Sequence, residues 1–538
     1  MLKSWVKPNN TVKALAALLA LIFALTVFSG CTKKPGKQPD PTEEPAYSPA
    51  PTEEPKEGGT LRLPMPVNAS FSDPLSVNTE EMLYLFSLVY DTLLTVSPSG
   101  ELEPCLCESW ANEGGGVWML HLREGVKWHD GSGELRAQDV MNTYYALMEM
   151  ESGYYKPCLT HIMGMEAIDD LSIRVRFNIE GLMGLYSLIF PIRRSDELMG
   201  TGAYRLERRT DEKVVLRVNE DWWDKIPYIS RVVFEERDSN STALASYEAG
   251  QLNFVPTDII TAGKYAESGV TDVYDIMTQD METLVFNSSC AVFSDVRLRL
   301  AVAHAINRSR IITNVYSNRA RAADVPIPPD SWLYDSRCAV LNYDPELSLS
   351  LIEEAGYTVL SRDGLRYKRT GGHLAVKLLT SATTENTVRS DAASMIASQL
   401  NELGFAVEVV TKAHTLGDRN SDFIKALSEG GWDMAVVGFN LGLSNELTSY
   451  IEANGSNNFG HMFDSDVTAL SRAMSVAVNE EDLREAAYAF QSAFVEKVPF
   501  VPLYFRLNSI VCSAEIKGAD GMREPLLFHN QKNWYFTE

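Results

Sequence analysis

Hydrophobic residues follow two different periods along the chain, and the two periods alternate. Residues 117–123 (VWMLHLR) place Trp118, Leu120 and Leu122 on one face, which is the two-residue period of a β-strand. Residues 80–94 (EEMLYLFSLVYDTLL) instead carry apolar side chains at the three- and four-residue spacing of an amphipathic helix. The pattern therefore predicts a mixture of helices and strands.

The same alternation continues to the C-terminal part of the chain. It predicts further strands at 61–67, 171–177, 212–218, 229–237, 374–380, 405–411 and 432–439. It predicts further helices at 137–150, 241–250, 297–316, 347–357 and 390–405. Alternating elements of this kind indicate α/β lobes with helices on the faces of sheets. A chain of 538 residues is too long for one core, so we expect two or three domains.

The overall charge excludes one class of partner. The formal net charge is −24, whereas nucleic-acid phosphates select basic surfaces. The same charge argues against broad contact with an anionic membrane. We therefore expect no nucleic-acid partner.

The N-terminus has the features of a secretory signal. Three lysines precede an apolar run, Ala14 to Phe28, and two small residues then precede Cys31. The run is shorter than the roughly 20 residues of a transmembrane span. The position of Cys31 resembles a bacterial lipobox, although Phe28 stands where leucine is usual. We predict a signal peptide at 1–30 and a diacylglyceryl group on Cys31, whose acyl chains anchor the protein in the bilayer.

Residues 31–59 are predicted to form a tether. They are rich in proline and contain PTEEP twice, at 41–45 and 51–55. Closely spaced prolines favour an extended polyproline II conformation, which makes a semi-rigid spacer. The tether would hold a globular body away from the outer face of the membrane.

Motifs of catalysis and metal binding are few. There is no GxSxG, P-loop or HExxH pattern. His129-Asp130 invites a catalytic interpretation, Cys105-x-Cys107 a pair of metal ligands, and Gly200-Thr-Gly202 a nucleotide loop that lacks its third glycine. For the two cysteines, close packing of small side chains is the alternative. The wide spacing of the cysteines does not reveal any disulfide pairing.

A series of motifs resembles one known family over residues 58–534. The motifs are GGTLRL, ELEPCLCESW, HLREGVKWHDG, AQDV, GTGAYRLERR, NEDWWDKIPYISRVVF, FNSSCAVFSDVRLRLAVAHAINR, YDPELSLSLIEEAGY, WDMAVVGF and VPFVPLYFR. In this order they resemble the peptide-type (family 5) solute-binding proteins of bacterial ABC importers, which include oligopeptide, dipeptide and nickel binders. In that resemblance HLREGVKWHDG is part of the scaffold rather than a catalytic site.

The resemblance implies the type II periplasmic-binding-protein fold, in which two α/β lobes close over a ligand. It assigns residues 60–73, 195–286 and 505–538 to lobe I, and 287–504 to lobe II. Residues 74–194 would form an extra subdomain on lobe I. The hinge would pass near 284–287 and 502–504. Because family members usually have Ser or Thr where Arg136 stands, we expect a looser start of the helix that follows.

The resemblance also implies how the protein works. Ligand contacts made only in the closed form shift the population of conformers toward closure, and a membrane permease would recognise that form. No reaction takes place on the ligand, so we expect neither an enzyme nor a cofactor. We expect a monomer whose partners are a peptide-like solute, ABC permease subunits and the bilayer.

The resemblance places candidate ligand contacts on three segments. The first is the loop of Phe71, Ser72 and Asp73, where Asp73 is alternatively a turn residue. The second follows the strand that ends at Phe439, which is either a cleft wall or a core residue. It comprises Phe439, Asn440, Leu441, Gly442 and Glu446. The third comprises Asn458 and His461, beside Asn457.

The residue at position 442 bears on the kind of ligand that the protein binds. Many peptide binders have an aspartate three residues after the aromatic residue, where it holds the peptide α-ammonium. Here that residue is Gly442, and the nearest carboxylate is Glu446. A blocked, modified or non-peptide ligand, such as a nickel chelate or haem, therefore stays open. A surface receptor that reports its ligand to a signalling partner is the alternative to import.

Overall fold

The structure is a computed structural model that describes residues 55–69, 71–194, 199–383, 386–414 and 420–537. The predicted signal peptide, Cys31 and most of the predicted tether lie outside these residues. Within the described residues, no helix combines the length and the apolar character needed to cross a bilayer.

Eleven α-helices lie in the described part of the chain. In order they are α1 Glu80–Val89, α2 Ala137–Glu149, α3 Asn240–Glu248, α4 Val296–Ala305, α5 Arg308–Tyr316, α6 Pro345–Glu354, α7 Val388–Glu402, α8 Asp422–Glu429, α9 Thr448–Ile451, α10 Ser465–Val476 and α11 Glu480–Lys497.

The strands fall into three larger sheets and several hairpins. The strands up to the middle of the chain are β1 Thr60–Pro66, β2 Leu94–Val96, β3 Leu102–Pro104, β4 Cys107–Gly114, β5 Val117–Leu122, β6 Ile162–Ala167, β7 Ser172–Phe177, β8 Tyr204–Arg209, β9 Lys213–Val218, β10 Arg231–Arg237, β11 Phe254–Thr257 and β12 Thr271–Phe286. The remaining strands are β13 Ala320–Ala322, β14 Val359–Leu360, β15 Arg366–Tyr367, β16 Ala375–Ala382, β17 Ala406–Ala413, β18 Met434–Asn440, β19 Phe500–Ser513, β20 Ile516–Lys517 and β21 Tyr535–Phe536.

The first lobe is built on a four-stranded sheet in the order β1-β10-β9-β8, in which β1 and β10 are parallel. Its core also contains most of helix α1 and the C-terminal residues Phe528 and Trp534. Helix α1 therefore packs with the first lobe, although the sequence boundaries assigned it to the extra subdomain.

A seven-stranded sheet connects the two lobes. Its order is β11-β19-β12-β18-β16-β17, with β13 paired to β19. The 16-residue strand β12 and the 14-residue strand β19 run antiparallel to each other over most of their length. We call them the crossing strands. The second lobe contains the parallel strands β16, β17 and β18.

Residues 92–194, which we call the inserted subdomain, contain an antiparallel sheet in the order β4-β5-β7-β6. Helix α2 packs against β6. The side chain of Asp139 accepts a hydrogen bond from the backbone N–H of Arg136 at 2.9 Å. The Arg136 side chain makes no capping bond, so this bond is the side-chain contact that caps the start of α2, and its looser start stays a prediction.

The HLREGVKWHDG stretch is structural in this fold. His129 is half-buried, and its ring donates a hydrogen bond to the carbonyl of Gly202 at 3.0 Å. Burial lowers the pKa of His129 to about 4. Asp130 instead accepts from the backbone N–H of Ser132 and pairs with Arg194 at 3.1 Å. The two side chains are engaged with different partners and do not form a dyad.

Candidate functional site

Three parallel strands of the second lobe end at the same edge of its sheet. Strands β16, β17 and β18 end at Ala382, Ala413 and Asn440. In open α/β sheets, ligands bind in the crevice outside the carboxyl ends of the strands. This edge is therefore where the fold itself places a binding site.

A cavity of about 240 Å³ lies at this edge. Asp258 and Ile260 line it from the first lobe, and Ser381, Thr383 and His414 line it from the strand ends. Three arginines and one glutamate supply its charge, and we call it the arginine cavity: Arg319, Arg389, Arg506 and Glu282. Because both lobes contribute to its walls, a ligand here would contact both at once.

Each arginine of this cavity has a carboxylate partner. Arg389 binds Glu282 through two hydrogen bonds of 2.8 Å, and Glu282 is 5% exposed. Burial by itself would raise the pKa of Glu282, but the Arg389 guanidinium lowers it below the usual value. Arg506 pairs with Asp280, and Arg319 with Asp275. A guanidinium has five N–H donors, so these pairs leave donors for a ligand.

The crossing strands are irregular beside this cavity. Their register breaks between Met277 and Met281, which face Leu507 and Phe505. Residues 278–280 therefore bulge opposite Arg506. A bulge interrupts the hydrogen-bonded ladder and bends the strand, which makes it a suitable place for a change of backbone angle. A second break lies between Glu282 and Thr283, so both breaks precede the expected hinge at 284–287.

The loop at 441–447 is attached to this bulge. The side-chain amide of Asn440 donates to Asp280 at 2.8 Å. The backbone N–H of the buried Leu441 donates to the carbonyl of Gln279 at 3.1 Å. Gly442 has a left-handed φ of +63°, and its N–H donates to the Asn440 side chain at 3.2 Å. Movement at the bulge would therefore move this loop.

The same loop borders a second cavity, of about 190 Å³. Leu443 lines it from the second lobe, opposite helix α1 and the inserted subdomain. We call it the aromatic cavity after its other walls, which include Phe86, Tyr90, Tyr154, Tyr155, Trp223 and Phe528. Such walls suit an apolar or aromatic ligand group.

Carboxylates gather on the first-lobe side of the cleft. Desolvation of its carboxyl group and the neighbouring charges of Glu524, Glu81, Asp280 and Asp258 raise the pKa of Glu80 to about 7. Burial also raises the pKa of Glu524, whose carboxylate accepts from the Tyr84 hydroxyl at 2.6 Å. Carboxylates thus lie near α1, whereas the three arginines, each with a carboxylate partner, lie in the arginine cavity.

In the first predicted segment, residues 71–73, the charged residue Asp73 has a structural role. Asp73 accepts from the backbone N–H of Leu75 and forms two hydrogen bonds with Arg193, at 2.9 and 2.7 Å. Phe71 is half-buried with its ring edge-on to Phe86 at 5.3 Å, and Ser72 is half-buried beside it. Because Phe86 lines the aromatic cavity, Phe71 lies behind that wall.

Phe439 is a core residue in this structure. It is 4% exposed and packs against Tyr450, Phe500 and Phe459, with ring centroids at 4.6, 5.5 and 6.4 Å. The cavity that borders Phe439 and Asn458 has about 10 Å³, which is the size of one water. Of the two interpretations of Phe439, this packing supports the core.

The remaining predicted residues hold the second lobe's loops. Glu446 accepts from the backbone N–H of Thr448 at 2.8 Å and from the Ser475 hydroxyl at 3.4 Å. The amide of the buried Asn458 donates to the carbonyls of Glu452 and Met462, both at 2.8 Å. His461 is exposed, and its ring donates to the carbonyl of Ala453 at 3.3 Å.

The charged residues of the cleft were not predicted from the sequence. Arg506 follows the apolar stretch VPLYF, and Glu282 precedes TLVF, so each is a charge beside a buried strand. Such a charge needs a partner or a ligand, and that was the available signal. Arg319, Arg389 and Asp280 had no comparable signal because only the fold brings them to the cavity.

The other motifs have structural explanations. A Cβ on Gly200 or Gly202 would lie 2.1 or 2.6 Å from the backbone of Val89, so these glycines allow two segments to touch. Cys107 is buried, which raises its pKa to about 11. The six cysteines of the described chain are free thiols. No group of three or more potential metal ligands occurs among the described residues.

Comparisons with known proteins agree with this architecture. The model of the family described as bacterial extracellular solute-binding proteins, family 5 Middle, matches residues 101–461. The oligopeptide-binding protein AppA of Bacillus subtilis is 25% identical over 512 residues, which cover 88% of this chain and 90% of that protein. The nickel-binding periplasmic protein of Escherichia coli is 22% identical over 369 residues, which cover 64% and 70%.

The fold is also found among solved structures. The periplasmic murein tripeptide-binding protein MppA, in an unliganded open form, has a TM-score of 0.78 at 18% identity. The match covers 90% of this chain and 98% of that structure. This confirms the two-lobed α/β fold predicted from the sequence. The chain belongs to the family 5 bacterial extracellular solute-binding proteins.

Proposed function

We propose that this protein captures a peptide or peptide-like solute in the cleft between its lobes and delivers it to the permease of an ABC importer. The observation that carries this proposal is the cleft itself. It combines carboxylates near α1, the three arginines of the arginine cavity and an aromatic cavity beside them. A peptide has groups of all three kinds, namely an ammonium, a carboxylate and side chains.

The second candidate is a nickel chelate, because the similar Escherichia coli protein is named for nickel. The cleft offers arginines for the carboxylates of a chelator. The candidate ranks second because His461 pairs with a carbonyl of its own lobe. A signalling receptor would use the same cleft, and neighbouring genes for a permease or for a sensor kinase would separate those two roles.

Calorimetry tests the ligand class. The protein, freed of ligand by unfolding and refolding, is titrated with an equimolar library of tri- to pentapeptides and, separately, with Ni(II)–histidine. The proposal expects heat with the library and none with the nickel complex. The reverse result would favour the chelate, and no heat with either would remove both candidates.

We further propose that the protein is a lipoprotein anchored outside the membrane through Cys31. The anchor rests on the sequence around Cys31, which lies outside the described residues. Cys31→Ser should abolish incorporation of labelled fatty acid and release the protein from the membrane fraction. A membrane-bound Cys31→Ser protein would show instead that another segment holds it.

A further inference from the structure

The inserted subdomain is bonded to the second lobe as well as to the first. The backbone N–H groups of Gly181 and Leu182 donate to the carbonyls of Ser475 and Ala477, at 2.9 and 2.7 Å. These carbonyls lie at the C-terminal end of α10, where a helix has no partners of its own for its last acceptors. The inserted subdomain therefore supplies the cap of a second-lobe helix.

This contact leaves no room for a side chain. A Cβ on Gly181 would lie 2.5 Å from the Ala477 carbonyl oxygen and 2.6 Å from that of Ser475. Both clashes are with backbone atoms, which cannot rotate away as the end of a side chain can. Gly181 is thus required by the close approach of two chain segments.

A second contact lies at the turn of residues 97–101. The backbone N–H of Trp332, in the second lobe, donates to the Ser99 carbonyl at 3.0 Å, and its indole N–H donates to the Gly100 carbonyl at 3.2 Å. Arg484 lies over the Trp332 ring. The second lobe is therefore held at two separate points of the inserted subdomain.

The first contact leads directly to the 441–447 loop. Ser475, whose carbonyl accepts from Gly181, donates its hydroxyl to Glu446 at 3.4 Å. Three residues before Glu446, Leu443 lines the aromatic cavity, which Tyr154 and Tyr155 of the inserted subdomain also line. The loop is thus connected to the inserted subdomain through Ser475 at Glu446, and at Leu443 it shares the walls of the aromatic cavity with that subdomain.

We propose that the inserted subdomain is a docking frame that positions the 441–447 loop for the ligand, and that Gly181 is its key positioning residue. The proposal rests on the proposed function in placing the ligand beside this loop. The positioning itself is a property of the ligand-free protein. It can therefore be measured whether or not a peptide binds.

Hydrogen exchange resolved to single amides tests the proposal. Gly181→Ala should speed exchange at Leu441 and Thr448 about tenfold, because the cap of α10 and the Ser475–Glu446 bond are displaced. The matched control is Gly133→Ala in the same subdomain, where a Cβ meets nothing within 4 Å. It should leave exchange unchanged. Amides of β16 should be unaffected in both variants, which separates loss of positioning from general unfolding.

A milder variant provides the test if Gly181→Ala does not fold. Trp332→Phe removes the indole donor to Gly100 and keeps the ring, so it should also speed loop exchange, by a smaller factor. Unchanged loop exchange in both variants would overturn the proposal. Binding of the peptide library, measured by calorimetry, is the second readout. Gly181→Ala should weaken it. If the wild-type protein binds no library peptide, the proposed function fails while the exchange result still decides the positioning role.

Discussion

The Arg389–Glu282 pair is the most deeply placed ion pair of the arginine cavity. Glu282 lies on a crossing strand and Arg389 near the start of α7, so the pair fixes that helix to the strand. Loss of one partner from such a pair leaves a buried charge without compensation. The pair therefore shapes the cavity wall in addition to any ligand contact.

Arg389→Ala should lower the free energy of unfolding by about 3 kcal/mol, measured by urea denaturation, because Glu282 would stay buried without its cation. The control is Arg337→Ala. Arg337 also pairs with a carboxylate, Asp335, but its side chain is 76% exposed. That change should leave the free energy of unfolding close to the wild-type value. Equal effects of the two substitutions would show that the buried pair has no special role.

Glu80 makes stability depend on pH. Its pKa of about 7 in the folded protein exceeds the ordinary value of 4.5, so the folded state holds a proton that the unfolded state releases. The stabilisation is complete below pH 4.5 and is lost as the pH rises through 7. The melting temperature of Glu80→Gln, taken relative to that of the wild type, should therefore rise between pH 5 and pH 8.

The matched control for Glu80 is Glu267→Gln, an exposed glutamate outside the cleft. Its melting temperature should follow the wild type at every pH. If the difference between Glu80→Gln and wild type were the same at pH 5 and pH 8, Glu80 would not titrate in this range.

Among the elements, strand β18 and the segments around it form an aromatic cluster behind the cleft. Phe439 joins Tyr450 after the loop, Phe459 beyond it and Phe500 at the start of β19. These contacts connect the loop that borders the cleft to a crossing strand. The cluster therefore gives the loop a rigid base.

Phe439→Ala should destabilise the second lobe by about 3–5 kcal/mol, since it removes a buried ring and leaves a cavity. Phe439→Leu keeps most of the volume and should cost clearly less. Both values come from urea unfolding. A Phe439→Ala protein of wild-type stability that binds ligand more weakly would instead make Phe439 a cleft wall.

The sequence predicted most elements but not all of them. Short amphipathic strands and helices were predicted because their own side chains show the period. The predicted helix at 297–316 is two helices, since Asn307 caps α5 by accepting from the N–H of Arg310. The crossing strands were predicted only as hinge positions, because burial on both faces removes the alternation that marks a strand. Helices α10 and α11 were not predicted.

The site was harder to predict than the fold. The resemblance located the 441–447 loop and the strand before it, but the arginine cavity depends on partners far apart in sequence. Arg389 and Glu282 are 107 residues apart, and Arg506 and Asp280 are 226 apart. The spacing of residues along the chain therefore cannot predict such pairs. The sequence shows directly that position 442 has no carboxylate. It does not show that Asp280 lies nearby and is bonded to Asn440.

At the scale of the whole molecule, the cleft is bordered by three bodies. The first lobe contributes α1, the second lobe contributes the strand ends and the 441–447 loop, and the inserted subdomain contributes part of the aromatic cavity. The crossing strands join the lobes and bulge beside the cleft. Closure about this bulge would bring the arginines toward the carboxylates of α1, and a ligand with both charges would stabilise the closed form.

Native mass spectrometry of the protein purified without unfolding would identify the solute held in the cleft. We expect a bound mass that is lost on denaturation and that fragments as a peptide or a peptide-like molecule. A ligand that contains nickel or haem, or any solute without peptide bonds, would show instead that the cleft is not a peptide site.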